Sequence, residues 1–432
     1  MLESIKNIFK IPELKKKILF TAFILILYRL GSFIPTPGVN AEALKAFFSD
    51  KGQNSIFGLF DLFVGGNFER ASVFALGIMP YITSSIVIQL LGSIVPYFEK
   101  LRKEGAEGTK KLTQITRYGT IVIGIFNAIG IAIFLQSMEV VYNPGVMFML
   151  TTVITMVTGT MVIMWLGEQI TEKGIGNGIS LIIFAGIIAR YPQGFYQMFQ
   201  MVKTGTMPIL TALIVIAVMV AITGAVILVT EAIRKINVQY AKRVIGRKIY
   251  GGQSTHIPLR VNSAGVIPII FAQSVIMFPR TFAAFFPNSA VGDFIIKTLS
   301  PGHALYTILY MALIIFFAYF YTAIAMNPVE MAENMKKHGG FIPGILPGKN
   351  TSTYINNILI RITLPGAIFF AIIAVIPEFM MKLTNIPFYF GGTGLIIIVG
   401  VALDTLKQIE SHLVMRHYDG FMKKGKLRGR SS

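Results

Sequence analysis

The sequence predicts an all-α polytopic membrane protein of ten transmembrane helices, arranged as two inverted halves of five helices each around a central pathway. Three observations support this prediction. The 432-residue chain is 54% hydrophobic and only 14% charged, whereas about a quarter of the residues of a soluble domain are charged. Ten apolar segments approach or exceed the length of about 20 residues that a helix needs to cross a bilayer. Helices that contain Gly and Pro also occupy corresponding places in the two halves.

The ten predicted spans follow one another along the whole chain. They are residues 18–34, 73–94, 118–135, 146–166, 179–199, 209–229, 264–285, 304–326, 354–376 and 392–413. The first span is expected to be retained, because Arg29 interrupts it and no small-x-small cleavage site follows. The predicted domains are an N-terminal half, 1–200, a C-terminal half, 201–414, and a basic cytosolic tail, 415–432.

The distribution of basic residues predicts the orientation of the chain. Thirty of the 39 Lys and Arg residues lie on the side of the N-terminus or at span ends facing it, and Arg29 lies within span 1. The other eight lie in loops on the opposite side, and they are Lys45, Lys51, Arg70, Arg190, Lys203, Arg280, Lys297 and Lys382. Loops rich in Lys and Arg stay in the cytoplasm. Both termini are therefore expected to be cytosolic.

Spans 2 and 7 correspond if the two halves are related. Because five is an odd number, such halves have opposite orientations in the membrane. Span 2 carries Gly77-Ile78-Met79-Pro80 and span 7 carries Gly265-Val266-Ile267-Pro268. Interrupted helices at matching places in inverted halves point to a central site, although Gly and Pro are also frequent in membrane helices generally. We expect these two spans to face each other across the pathway.

The stretch that begins at Ile56 is predicted to line this pathway. Its first part, 56–64, is apolar but too short to span. Gly65-Gly66-Asn67 then breaks the helix, with Glu69 and Arg70 beside the break, and a second apolar run, 73–96, is long enough to cross. Irregular backbone at membrane depth survives only where protein or a water-filled cavity shields it. We therefore expect a short half-helix that sits inside the pathway.

The middles of the predicted spans lack charge, which argues against ion or proton coupling. Neutral polar residues occur there instead, namely Gln89, Asn127, Asn262 and Gln273. Two interpretations stand for these residues: ordinary interhelical hydrogen bonds, worth about 1 kcal/mol each, or groups that take part in gating. A passive conduit fits the absence of central charge better than a secondary transporter does.

Two cytosolic loops, 231–260 and 327–357, are predicted to dock a partner. The first holds seven Lys and Arg residues against one acid, and its alternation around 236–240, 244–245 and 249–250 predicts a protruding β-hairpin. The second has a tip rich in Gly and Pro at 339–348. Positive-inside bias alone is one explanation of the basic charge. A surface that suits RNA phosphates or an acidic protein face is the other.

The sequence contains no sign of catalysis or of a bound cofactor. It has no cysteine, and its five His residues show no spacing typical of metal ligands. Phosphate-binding, metalloprotease and nucleophile-elbow motifs are missing from it. We expect neither an enzyme nor a metal or cofactor site, so energy for transport must come from a partner or from the membrane potential.

Seven stretches of the chain carry a family resemblance, and they are Arg29–Pro35, Ala71–Ile82, Trp165–Glu172, Gly176–Ser180, Tyr240–Arg243, Gln253–Pro268 and Pro387–Thr393. In these stretches the sequence resembles the SecY family, the central subunits of the bacterial protein-conducting channel. The resemblance covers nearly the whole chain, and these motifs together are far more specific than any one of them. It implies a channel of the cytoplasmic membrane that passes unfolded secretory polypeptides and releases transmembrane segments laterally.

The resemblance also assigns the parts of the pore. It implies two inverted five-helix halves around an hourglass pore, with residues 57–67 as a plug. The plug residues are Phe57, Phe60, Phe63, Gly65, Gly66 and Asn67. A ring of branched apolar side chains is expected at Ile78, Ile82, Ile183, Ile270 and Ile397. Such a ring can close around a polypeptide but offers ions no replacement for their hydration shell. Packing in a core or against lipid is the better explanation of any single Ile, but five of them on kinked or matched helices favour a ring.

The remaining assignments concern the lateral gate and the partners. Spans 2 and 3 against spans 7 and 8 are expected to open to lipid, with Gln89, Asn127 and Asn262 at the gate. Docking of the SecA motor ATPase or the ribosome is expected at Lys242, Arg243, Arg247, Lys248, Lys336, Lys337 and Lys349. Membrane subunits SecE and SecG, signal sequences and lipids are the other implied partners. One departure is Leu346, which stands where the family pattern has Arg, so that a role of this tip residue in motor activation is in doubt.

Three hypotheses follow from the sequence. The first is a polypeptide channel closed by a plug and an apolar ring. The second is a ten-span secondary transporter with inverted repeats, which predicts buried charge at a substrate site. The third is a scaffold that recruits a cytosolic complex, which has no need of a broken half-helix.

Overall fold

The computed structural model describes residues 11–48, 61, 64–240, 243–245, 248–250, 254–284, 290–300, 302–384 and 392–424. These ranges contain fifteen helices and five short strands. The chain divides into two compact units. Unit 1 comprises Met1–Gln197, Met277–Ile296 and Val401–Ser432, and unit 2 comprises Met198–Ile276 and Lys297–Gly400.

The helices and strands follow the predicted spans and loops in order. The first nine helices are α1 Pro12–Gly31, α2 Ala41–Phe47, α3 Met79–Ile94, α4 Pro96–Lys103, α5 Ala106–Ser137, α6 Val146–Lys173, α7 Gly178–Ile188, α8 Tyr191–Lys203 and α9 Ile209–Glu231. The first four strands are β1 Ile233–Tyr240, β2 Arg243–Ile245, β3 Lys248–Tyr250 and β4 Ser254–Arg260. Then come α10 Ile267–Ala284, α11 Ala290–Thr298, α12 Ala304–Ala325, α13 Pro328–Lys337, β5 Gly340–Phe341, α14 Lys349–Thr384 and α15 Gly392–Lys424.

Each of the ten predicted spans overlaps a helix or a pair of consecutive helices. Within the described ranges, six helical segments are long and apolar enough to cross a membrane, and a seventh is counted if α3 and α4, bent by 97°, form one span. The chain is therefore a multi-pass membrane protein, and the full count of ten spans stays a prediction.

The second span begins later than predicted. Its helix starts at Met79, whereas the apolar run starts at Val73. Gly77 has a φ of +56°, which ordinary residues adopt only at a cost, and Pro80 occupies the first turn of the helix. Pro is favoured there because its missing N–H would have no helical partner. Gly and Pro thus delay the helix rather than kinking it.

The turn between α6 and α7 is tight, as the Gly-rich run 174–178 predicts. Gly176 has a φ of +87°, and its N–H donates to Oε1 of Gln408 at 2.9 Å. The side chain of Asn177 then caps α7 by accepting from the N–H of Ser180 at 3.1 Å. This turn is therefore fastened both to α15 and to the helix that follows.

The first basic loop folds into two antiparallel pairs of strands rather than one hairpin. β1 pairs with β4, from Ile233 opposite Arg260 to Gln239 opposite Ser254, and β2 pairs with β3. The predicted hairpin around 244–250 is confirmed as β2–β3. The expectation that the 236–240 strand belongs to that same hairpin is wrong, because residues 254–260 are the partner that buries its alternate side chains.

The second basic loop joins this sheet through β5. Gln239 lies opposite Phe341 and Tyr240 lies opposite Gly340, which gives the strand order β4-β1-β5. An apolar core lies under the sheet, formed by Ile236, Val238, Leu259, Met335, Ile342, Ile355 and Leu359. We call the three strands, α13 and this core the platform. All of it belongs to unit 2.

Candidate functional site

The chain between the predicted half-helix and α3 is irregular and buried. Residues 64–78 run mostly as turns, and nearly all of them are buried in unit 1. Gly65 and Gly66 have φ values of +75° and +83°, and Ala71 has a φ of +49°. Buried irregular backbone needs partners for its polar groups. We call residues 64–78 the turn segment, and its partners come from α1, from α7 and from the turn between α7 and α8.

Two residues of α1 hold the start of the turn segment. The hydroxyl of Tyr28, which is 2% exposed, donates to the carbonyl of Val64 at 3.3 Å and accepts from Nδ2 of Asn67 at 3.2 Å. The next residue, Arg29, donates from Nη1 to the carbonyl of Gly65 at 3.2 Å. These bonds use backbone carbonyls that the broken helix leaves without helical partners.

A charged cluster holds the same region from the other side. Arg190, which follows α7, donates from Nη2 to Oδ2 of Asp61 and, at 2.8 Å, to Oε2 of Glu69. Oδ1 of Asp61 accepts from the N–H groups of Phe68 and Glu69 at 2.7 and 3.0 Å. Asp61 is 1% exposed, and a buried carboxylate is tolerated only when it is paired and hydrogen-bonded. We call Asp61, Glu69 and Arg190 the Arg190 cluster.

Gly65 and Gly186 bring the turn segment into direct backbone contact with α7. A Cβ atom added to Gly65 would lie 2.6 Å from Cα of Gly186, a distance that real side chains do not reach. The absence of a side chain at Gly65 therefore lets the two backbones approach closely. Any residue other than Gly here requires the turn segment or α7 to move.

Gly65→Ala is expected to destabilise the protein more than Gly205→Ala does. Both residues have a φ of +75°, which L side chains rarely adopt, so both substitutions strain the backbone. Only at Gly65 is the added methyl group obstructed, since no atom lies within 4 Å of a Cβ at Gly205. Overpacking should add about 1–3 kcal/mol. Thermal unfolding in detergent measures the difference, and equal losses would contradict the close contact.

The five residues of the expected pore ring are all buried, and the two units contain different members. Ile78, Ile82 and Ile183 lie in unit 1 and are each 4% exposed. Ile270 and Ile397 lie in unit 2, at 6% and 0%. Ile78 ends the turn segment, and Ile82 follows one turn later on α3. Their assignment to a ring stays a prediction.

The expected plug residues fall into two groups. Phe57, Phe60 and Phe63 lie outside the described residues, whereas Gly65, Gly66 and Asn67 belong to the turn segment.

Of the gate residues, Gln89 donates to Oγ of Ser85 at 3.0 Å within its own helix. Asn127 is half-buried in α5. Asn262 lines a cleft of unit 2 together with Pro268, Ile314 and Phe370. A gating role for the three residues stays a prediction.

The expected docking residues belong to the platform and its surroundings. Lys336 and Lys337 are exposed in the last turn of α13, and Lys349 is exposed at the start of α14. The backbone of Arg243 and Lys248 lies in β2 and β3, and Lys242 and Arg247 lie outside the described residues. Leu346, the departure from the family pattern, is 71% exposed at the tip of its loop. The β1–β5 pairing thus brings together two loops that the sequence predicted separately.

Several charged contacts were missed by sequence reasoning. Arg190 was counted as a basic residue of an external loop, and Asp61 received no role. Arg117 donates from Nε and Nη2 to the two carboxylate oxygens of Glu168, at 3.0 and 2.7 Å, and so ties α5 to α6. Arg280, also counted in an external loop, is 0% exposed in α10. In the sequence each of these residues is a charge next to an apolar run. Such a position does not show whether the charge is exposed or paired with a distant residue.

Comparison with known proteins identifies the family. Residues 72–406 match the family model of SecY. Protein translocase subunit SecY of Escherichia coli strain K12 is 47% identical over 424 residues, which cover 96% of each chain.

Two solved structures share the fold. One is of a SecY protein whose plug domain stabilises the closed state of the translocation channel and maintains a membrane seal; it has a TM-score of 0.68 at 18% identity and covers 95% of this chain and 97% of its own. The other is Sec61 in the canine ribosome–channel complex from the endoplasmic reticulum, with a TM-score of 0.64, 18% identity, and the same 95% and 97% coverage. The family model and the bacterial relative show that this chain belongs to the SecY family of protein translocase subunits.

Proposed function

We propose that this chain is a passive protein-conducting channel of the cytoplasmic membrane. It passes unfolded secretory polypeptides across the membrane and releases transmembrane segments sideways into the lipid. The observation that carries this proposal is the turn segment: buried, irregular backbone held by polar side chains directly before a membrane helix. A scaffold has no use for such a segment, and membership of the SecY family favours a channel over a secondary transporter.

Residues 57–67 act as the plug of this channel. The contacts of Tyr28, Arg29 and Arg190 with the described part of this stretch support the assignment, because they hold a short broken segment in one place. The related SecY structure whose plug domain maintains a membrane seal supports it as well. The plug blocks the resting pore and leaves when a polypeptide enters.

The apolar ring provides a second barrier. Ile78, Ile82, Ile183, Ile270 and Ile397 contribute its side chains. Burial of all five supports this assignment. Branched apolar side chains fit around a moving polypeptide while denying ions a substitute for water.

Gln89, Asn127 and Asn262 take part in the lateral gate, where signal sequences and transmembrane segments meet lipid. Half-burial of the three side chains supports the assignment. Polar side chains weaken the closure of an otherwise apolar gate, so these residues adjust how hydrophobic a segment must be to open it.

The platform docks the cytosolic partner that supplies energy or substrate. The basic residues proposed to contact the partner belong to α13 and to the two basic loops, and they are Lys242, Arg243, Arg247, Lys248, Lys336, Lys337 and Lys349. A basic surface attracts RNA phosphates and acidic protein faces, and the Sec61 relative was solved in a ribosome–channel complex. The ribosome and the SecA motor are therefore the proposed partners, with SecE and SecG as membrane subunits. Both termini and both basic loops face the cytosol, as the distribution of Lys and Arg predicts.

Transport of a polypeptide by the reconstituted complex tests this function. Proteoliposomes that contain the chain with its membrane subunits are expected to protect an unfolded secretory precursor from added protease when the motor and ATP are present. Vesicles with the motor but without the chain are the control. Absence of protection, together with uptake of a small solute, would favour the secondary transporter instead.

A further inference from the structure

We propose that Arg190 is the positioning residue that latches the plug in its closed position, through its ion pairs with Asp61 and Glu69. The inference rests on the proposed function, because it concerns the plug of that channel. It attributes the closed position to one cation in the turn between α7 and α8 rather than to apolar packing alone.

The geometry makes Arg190 a clamp across the plug. Asp61 lies within the plug and Glu69 lies just after it, and the same guanidinium nitrogen contacts both carboxylates. Arg190 is separated from them by 129 and 121 positions in the sequence. A single side chain from the turn between α7 and α8 therefore holds both sides of the Gly65-Gly66-Asn67 break.

Burial strengthens the ion pairs of Arg190 while the plug is closed, and entry of water weakens them. The side chain of Asp61 is 1% exposed, whereas those of Arg190 and Glu69 are 21% and 26% exposed. Ions attract each other far more strongly in a low-dielectric interior than in water. A polypeptide that enters the pathway brings water with it, and hydration of the carboxylates then offsets the loss of the ion pairs. The latch thus releases as the site hydrates.

The other contacts to this region hold the plug less strongly than the ion pairs of Arg190 do. Tyr28 and Asn67 make hydrogen bonds of 3.2–3.3 Å between uncharged groups, which are weaker than charge-assisted ones. Arg29 is charged, but the acceptor that it reaches is the neutral backbone carbonyl of Gly65. Removal of Arg190 also leaves the carboxylates of Asp61 and Glu69 close together without their shared cation, which destabilises the closed arrangement of the plug.

Single-channel conductance of the complete membrane complex tests the latch. Arg190→Gln is expected to raise the frequency of openings at least about tenfold over the unchanged complex, since breaking a buried pair has a large cost. Arg190→Lys keeps the positive charge and should stay near the unchanged complex. Lys203→Gln removes an exposed charge at the end of α8 and is the matched control, with no expected change.

A triple variant, Asp61→Asn with Glu69→Gln and Arg190→Gln, tests whether the channel opens because the ion pairs are lost or because a buried charge is left unpaired. It leaves no buried charge unpaired, so it is expected to fold, and it should still open more often than the unchanged complex because the clamp is gone. Closure equal to that of the unchanged complex would overturn the proposal, as would Arg190→Gln behaving like Lys203→Gln.

A complex without residues 57–67 distinguishes failure of the latch from failure of the proposed function. If this deletion opens the channel while Arg190→Gln does not, the plug stands and the latch is wrong. If the deletion also stays silent in a folded, inserted complex, the plug itself is wrong, and the latch with it. Openings in both variants support the latch.

Discussion

A complex that lacks residues 57–67 is expected to open frequently and widely in planar bilayers, whereas the intact complex stays closed. The deletion removes Asp61 and the anchored backbone at Val64 and Gly65, so Tyr28, Arg29 and Arg190 lose their partners on the plug. Each loss of about 1.4 kcal/mol from the closed state raises the ratio of open to closed channels about tenfold. Several contacts vanish together, so the effect on conductance should be large.

Replacement of the same eleven positions by Gly and Ser is the matched control for chain length. It keeps the connection to α3 while it removes the polar anchors, so it should leak as the deletion does. Intact folding and membrane insertion must be verified for both variants. A silent channel in both would disprove the plug and return attention to a small-molecule substrate.

Leu259→Ala is expected to abolish docking of the ribosome and the motor while it leaves channel conductance unchanged. Leu259 is 0% exposed in the core of the platform, where it packs with Val238, Ile355 and their neighbours. Truncation of a buried Leu costs about 2–5 kcal/mol, which is large for three strands held by one small core. The basic residues then lose the fixed spacing that a docked partner requires.

Ile233→Ala provides the matched control, because Ile233 lies on β1 of the same sheet but is 47% exposed. Co-sedimentation with ribosomes and stimulation of the motor's ATPase measure docking. Lys336→Gln with Lys337→Gln should weaken docking in a salt-dependent way without unfolding the platform. If Leu259→Ala binds partners as well as Ile233→Ala, the platform is not the docking surface.

The sequence predicted the helices well because the bilayer imposes a simple rule on them. Apolar runs near 20 residues must be helical, since no water satisfies their backbone groups. The residues at which the helices begin and end were harder to predict. Span 2 was expected from Val73 but begins at Met79, because Gly77 and Pro80 determine the start of the helix more strongly than hydropathy does. Local rules thus explain most of the fold.

The candidate site depended on contacts between distant positions, which local patterns do not encode. β5 holds two residues and pairs with β1 across about a hundred positions, so neither its length nor its composition signalled a strand. Arg190 and Asp61 each looked like an ordinary charge beside an apolar run. The ion pair between them depends on how α7 packs against the turn segment, which no periodicity predicts.

The platform is joined to α9 by a connection too short to act as a hinge. A single residue, Ala232, separates the end of α9 from the start of β1, and its carbonyl accepts from the N–H of Val261 at 3.0 Å just after β4. The end of β4 is thus hydrogen-bonded to the residue that joins α9 to β1. A mechanical load that the proposed partner applied to these strands would therefore pass into α9, because no flexible linker lies between them to absorb it.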